Sequence, residues 1–121
     1  MIRPTKIDHV CLLVKNVNKA SKYYEDLFDI ACKPYPNKEK MLMVESDKIH
    51  FFIKEANFSP KLIREQHLSF EVENLDKIIK FLKAKRIQYA RGVFKNFKNK
   101  NYKWVEWRDP DGIRLECVQT L

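Results

Sequence analysis

The sequence predicts an α+β fold made of two copies of one β-α-β-β-β module. Three observations carry this. Residues 8–24 (DHVCLLVKNVNKASKYY) align without a gap on residues 66–82 (QHLSFEVENLDKIIKFL). Inside each copy, two-residue alternation of apolar side chains gives way to helical spacing at an asparagine. Three further strand-like stretches, separated by turn residues, follow each helix.

The first strand of module one alternates Val10, Leu12 and Val14 with His9, Cys11 and Leu13. Its counterpart in module two sets Leu68, Phe70 and Val72 in the places of Val10, Leu12 and Val14. Asn16 and Asn74 each offer a side-chain oxygen to the free N–H groups of a helix start. The helices then carry Val17, Ala20, Tyr24 and Leu27 in one copy and Leu75, Ile78, Ile79 and Leu82 in the other. That spacing gives one buried stripe on a surface helix. Strands are expected near 30–35, 40–45 and 48–55, and again near 87–93, 101–108 and 112–119. Asp109-Pro110-Asp111-Gly112 is the hairpin turn between the last two, with Pro presetting one φ and Gly supplying the positive one. The 121 residues suit one domain: module one about 5–55, a linker about 56–65, module two about 66–119. The stretch 94–101 (FKNFKNKN) reads as a polar, basic loop.

Composition excludes several classes. Two glycines, Gly92 and Gly112, rule out a glycine-rich phosphate loop. Three cysteines without CxxC spacing argue against a disulfide framework or a cysteine-rich zinc site. Cys11 and Cys117 lie in apolar strands and are expected to be small buried hydrophobes. No apolar run is long enough to span a bilayer, and MIRPTKIDHV carries no secretion signal, so a cytoplasmic location is expected, with no membrane partner. The net charge of +8 gives a lysine-rich surface and a field that favours small anionic ligands. Phe94, Phe97 and Tyr102 interleave with Lys95, Lys98 and Lys100, a pattern that single-strand nucleic-acid platforms share. Here it is read as a loop or lid, and nucleic acid is not expected as a partner.

Chemistry concentrates in the histidines. His9 and His67 occupy equivalent places in the two first strands, on the faces opposite the helix-packing residues. Matching IHFFIKE with IRLECV pairs His50 with Glu116. The repeat therefore yields four ligand-type side chains, His9, His50, His67 and Glu116, which include every histidine in the chain. Imidazoles with a carboxylate suit one divalent ion per site, Zn²⁺, Ni²⁺, Mn²⁺ or Fe²⁺. Open positions on such an ion would take two adjacent substrate oxygens and polarise them. Trp104 and Phe52 are candidate pocket walls, and Glu106 is a candidate second acid/base.

DHVCLLVKNVNKASKYYEDLFDI resembles the opening strand and helix of the vicinal-oxygen-chelate superfamily. QHLSFEVENLD resembles its second-module strand, and RDPDGIRLE its closing hairpin. The resemblance covers almost the whole chain and implies curved mixed sheets around a cleft. It puts His9, His67 and Glu116 on the 2-His-1-carboxylate positions, and His50 where glyoxalase I and some relatives carry a fourth ligand. It further implies a homodimer whose subunits share each site. Fosfomycin-modifying members use the three-ligand set and match this length. Arg91 lies near where those enzymes place a cationic phosphonate contact, and Cys11 falls where they usually have a threonine. The implied activity is a metal-dependent lyase, isomerase or thiol transferase acting on a small anionic substrate, with Glu116 able to act as base. The alternatives are a non-catalytic binding or resistance protein of the same fold, and a nucleic-acid-binding module.

Overall fold

The computed structural model describes residues 1–57, 59–97 and 100–121, with side chains left aside at 96 and 97. The chain divides into two compact units, Met1–Ser59 and Pro60–Leu121.

The first unit runs β1 (Cys11–Val14), α1 (Val17–Leu27), β2 (Ala31–Pro34), β3 (Met41–Glu45) and β4 (His50–Glu55). Its sheet has the order β1-β4-β3-β2. β1 and β4 are parallel and the other pairs antiparallel, so the sheet is mixed. One face buries Leu12, Val14, Val44, Phe51 and Ile53 against Val17 and Tyr24 of α1. Burying a side chain of this size contributes about 1.5–3 kcal/mol. The helix starts where Asn16 accepts the Lys19 N–H at 2.9 Å. Glu55, at the end of β4, accepts the Val17 N–H at 3.2 Å.

The second unit runs α2 (Pro60–Arg64), β5 (His67–Glu71), α3 (Leu75–Ala84), β6 (Tyr89–Phe97), β7 (Lys100–Arg108) and β8 (Arg114–Thr120), with sheet order β5-β8-β7-β6. β5 and β8 are parallel. Phe70, Val105, Trp107, Leu115 and Cys117 are buried together with Leu75, Ile79 and Leu82 of α3. Asn74 accepts the Asp76 N–H at 3.1 Å, and Gln119, near the end of β8, accepts the Leu75 N–H at 2.8 Å. The two last strands thus cap the two helices in the same way. In the turn, Asp109 Oδ1 accepts the N–H groups of Asp111 and Ile113, and Gly112 takes a φ of +86°.

The structure adds one element to the expected set and corrects one expectation. The joining segment 56–65 contains α2, anchored by the buried Ile63. The expected loop 94–101 is largely strand: β6 reaches Phe97 and β7 starts at Lys100. Aromatic pairing across the ladder explains the extension, since Phe94 stacks on Tyr102 with ring centroids 5.5 Å apart. Lys98 lies outside the described residues, as does the side chain of Phe97.

Candidate functional site

The face of the first sheet turned away from α1 carries the histidines of that unit. Cys11 pairs with Phe52, and the Phe52 N–H bonds to the Val10 carbonyl at 2.9 Å, so the chain before β1 continues the ladder toward His50. His9 and His50 meet with ring centroids 5.6 Å apart. Both rings stand edge-on to Phe52, at 4.8 and 5.0 Å. Asp8 Oδ2 lies 2.8 Å from His9 Nδ1 and 4.0 Å from His50 Nδ1. The hydrogen bond from His9 is the leading cause that lowers the Asp8 pKa below its ordinary value. Asp8, His9 and His50 are all exposed and offer ligand atoms within 4.8 Å of one another.

In the second unit, β5, β8 and β7 bring His67, Glu116, Glu106, Trp104 and Arg114 to one face. His67 pairs with Arg114, Ser69 with Glu116, and Glu116 in turn with Glu106. His67 Nε2 lies 3.7 Å from Glu116 Oε1. The Glu116 side chain is only 16% exposed, against 41% for His67, so the carboxylate is sheltered while the imidazole stays reachable. Arg114 donates to Glu106 Oε2 from Nε at 2.7 Å, and its Nη2 lies 2.7 Å from the same oxygen. Glu106 is therefore committed to holding a guanidinium.

The ladders correct the pairing of His50 with Glu116. Cys11 and Ser69 are equivalent in the repeat, and they face Phe52 and Glu116 respectively. The position equivalent to Glu116 is therefore Phe52, and His50 corresponds to Arg114. The caps agree independently, since Glu55 serves Val17 as Gln119 serves Leu75. The contacts His9–Phe52 and His67–Glu116 are one pair seen twice, with an apolar ring in one unit where the other has a carboxylate.

Among the remaining expected site residues, Trp104 lies on the Glu116 face, with its indole across Gly92. Phe52 and Cys11 share the His9 face. Cys11 is exposed rather than buried, because alternation turns it away from Leu12 and Val14. Cys117 is the buried thiol, and burial first, then the neighbouring Glu116, pushes its pKa up to about 12. Arg91 is not brought to the Glu116 face. It pairs with Val105, on the side of the sheet that α3 covers, and is itself exposed at the edge strand. A cation that does reach the Glu116 face is Arg114, which alternation two residues from Glu116 could have revealed. Asp8 was also missed, and its signal is only adjacency to His9.

The chain matches the family model of the Glyoxalase/Bleomycin resistance protein/Dioxygenase superfamily over residues 6–117. It belongs to that superfamily. No curated protein matches the chain in sequence. Among solved structures it is similar to an integron cassette protein from the mobile metagenome of V. cholerae (16% identity, 98% of each chain covered, TM-score 0.79). It is also similar to lactoylglutathione lyase from Agrobacterium tumefaciens (15%, 97% of this chain and 95% of that one, TM-score 0.73). A third is a bleomycin resistance determinant encoded on the transposon Tn5 (14%, 95% and 98%, TM-score 0.68). At these identities the likeness shows the fold. The superfamily contains enzymes and non-enzymatic resistance proteins, commonly binds divalent metals and is typically dimeric. No helix among the described residues is long and apolar enough to cross a membrane.

Proposed function

We propose that this superfamily member is a divalent-metal-dependent enzyme acting on a small anionic substrate held through two adjacent oxygens. The reaction would be that of a lyase, isomerase or thiol transferase. The observation that carries this reading is the His67–Glu116 pair, an imidazole nitrogen and a sheltered carboxylate oxygen 3.7 Å apart. Two ligands about 2.1 Å from one zinc-like ion, at a tetrahedral angle, stand roughly 3.4 Å from each other. The pair therefore suits a shared cation with little adjustment.

His9 completes a 2-His-1-carboxylate set, which leaves positions open for substrate. The reading assigns His9 and the His67–Glu116 pair to one metal in a homodimer, with each subunit contributing one part. Phe52 stands where a fourth ligand would come from, so three protein ligands are assigned, and His50 is left outside the set. A bound ion would supply Lewis-acid polarisation of the substrate oxygens. Glu116 is the candidate for moving a proton. The +8 net charge favours an anion, and Trp104 and Phe52 offer apolar walls.

The test is elemental analysis of untagged protein, with apo protein retitrated by Mn²⁺, Ni²⁺ and Zn²⁺. About one ion per chain is expected. Glu116→Gln and His67→Ala should each abolish binding while the protein stays folded. No ion held or rebound would overturn the reading, and full occupancy in both variants would overturn the ligand assignment.

A further inference from the structure

We propose that Asp8 is a positioning residue, whose carboxylate takes the Nδ1 proton of His9 and so leaves Nε2 as the atom that ligates. This rests on the metal reading above for its function, and on the geometry of the first unit for its substance. The His9 ring is held from three directions: by Asp8 Oδ2 at 2.8 Å, by the edge contact with Phe52, and by the tilted ring of His50. An ionised carboxylate only accepts hydrogen bonds, so a 2.8 Å contact with neutral imidazole requires the proton on Nδ1. His50 Nδ1, at 4.0 Å, is beyond hydrogen-bond range of the same oxygen, so His9 is the partner Asp8 selects.

The two neutral tautomers of an imidazole are close in energy, so even an exposed hydrogen bond decides between them. Histidines that bind metals depend on such a partner for tautomer and ring orientation, and losing it typically weakens affinity 10–100-fold. In the second unit the position equivalent to Asp8 is Gln66, whose side chain donates to the Ile63 carbonyl at 3.1 Å. The carboxylate device is thus present at His9 and replaced at His67.

Two readouts on the full-length chain test this. In apo protein labelled with ¹⁵N-histidine, long-range ¹H–¹⁵N spectra above the imidazole pKa should show His9 as the Nδ1–H tautomer. Asp8→Ala should move it toward Nε2–H, and Asp8→Glu should restore it in part. Titration with Ni²⁺ alone should show affinity about 10–100-fold weaker in Asp8→Ala, with circular dichroism unchanged. An unaltered tautomer or an unaltered affinity in Asp8→Ala overturns the proposal. So does a loss as deep as that of His9→Ala, which would make Asp8 a ligand itself. Wild-type protein that binds none of Ni²⁺, Mn²⁺ and Zn²⁺ defeats the metal reading, while the tautomer spectra still decide whether Asp8 sets the state of His9.

Discussion

Gly92 gives a sharp test of how the Glu116 face is built. It sits opposite Trp104 in the β6–β7 ladder, and a Cβ placed there would meet indole Cζ2 at 2.8 Å, Cε2 at 3.0 Å and Nε1 at 3.1 Å. Carbon atoms rest about 3.5–4.0 Å apart, so the indole has to give way by roughly 0.5–1 Å. The obstacle is space and not backbone conformation, because Gly112 is the glycine with positive φ. Alanine in a strand interior is otherwise favoured over glycine by about 0.5–1 kcal/mol. Overpacking costs about 1–3 kcal/mol. The net expectation for Gly92→Ala is a loss of about 0–2.5 kcal/mol, taking these two terms together. In a Trp104→Ala background the clash is gone, and the same change should stabilise by about 0.5 kcal/mol. Urea unfolding of the four proteins, at a common m-value, measures this cycle. Fluorine NMR of 5-fluorotryptophan protein supplies the structural readout. The Trp104 resonance should shift, while that of Trp107, buried at 3% exposure, should stay. Equal stabilisation in both backgrounds, or a Trp104 signal that does not move, would refute the close approach.

Two further outcomes follow from the register and from burial. Phe52→Glu places a carboxylate at the position equivalent to Glu116, so it should tighten Ni²⁺ binding at the His9 half, whereas His50→Glu should do so less; calorimetric titration that ranked them the other way would restore the pairing of His50 with Glu116. Cys117 has its pKa raised from 9.0 to about 12 by burial, so the unfolded chain ionises this thiol first. Its contribution to stability is therefore fully present below about pH 9 and lost as pH rises toward about 12. Native protein at pH 8 should accordingly show Cys11 reacting first with a thiol reagent and Cys117 protected, and rapid Cys117 labelling without unfolding would count against the buried assignment.

Much of the fold was readable because it rests on local chemistry. Asn16 and Asn74 cap the helices they were expected to cap, and Asp109 to Gly112 make the expected turn. Alternation also assigned faces correctly at His9, Leu12, His67 and Phe70. It failed where strand edges had to be told from loops. The run from Phe94 to Lys100 is polar by composition, but Phe94 and Tyr102 find each other only across the ladder, and no local rule foresees that stacking.

The error at His50 has a more exact physical cause. A slip of one residue exchanges the two faces of a strand and is penalised at once by burying polar groups. A slip of two residues returns every side chain to the face it had, so alternation is blind to it. Setting His50 on Glu116 puts Ile49 on Leu115, two places from Ile113, its partner in the true register, and nothing in either strand objects. What fixes the register is pairing with another strand, Cys11 with Phe52 in one unit and Ser69 with Glu116 in the other. At about 3.3 Å per residue, a two-residue slip moves a side chain by roughly 7 Å, more than a metal site tolerates. The consequence reaches function. With Phe52 in the place of a fourth ligand, the two halves of the repeat are chemically unequal, one offering an imidazole steadied by Asp8 and the other an imidazole beside a sheltered carboxylate. Phe52→Glu would make the two halves chemically alike at that position.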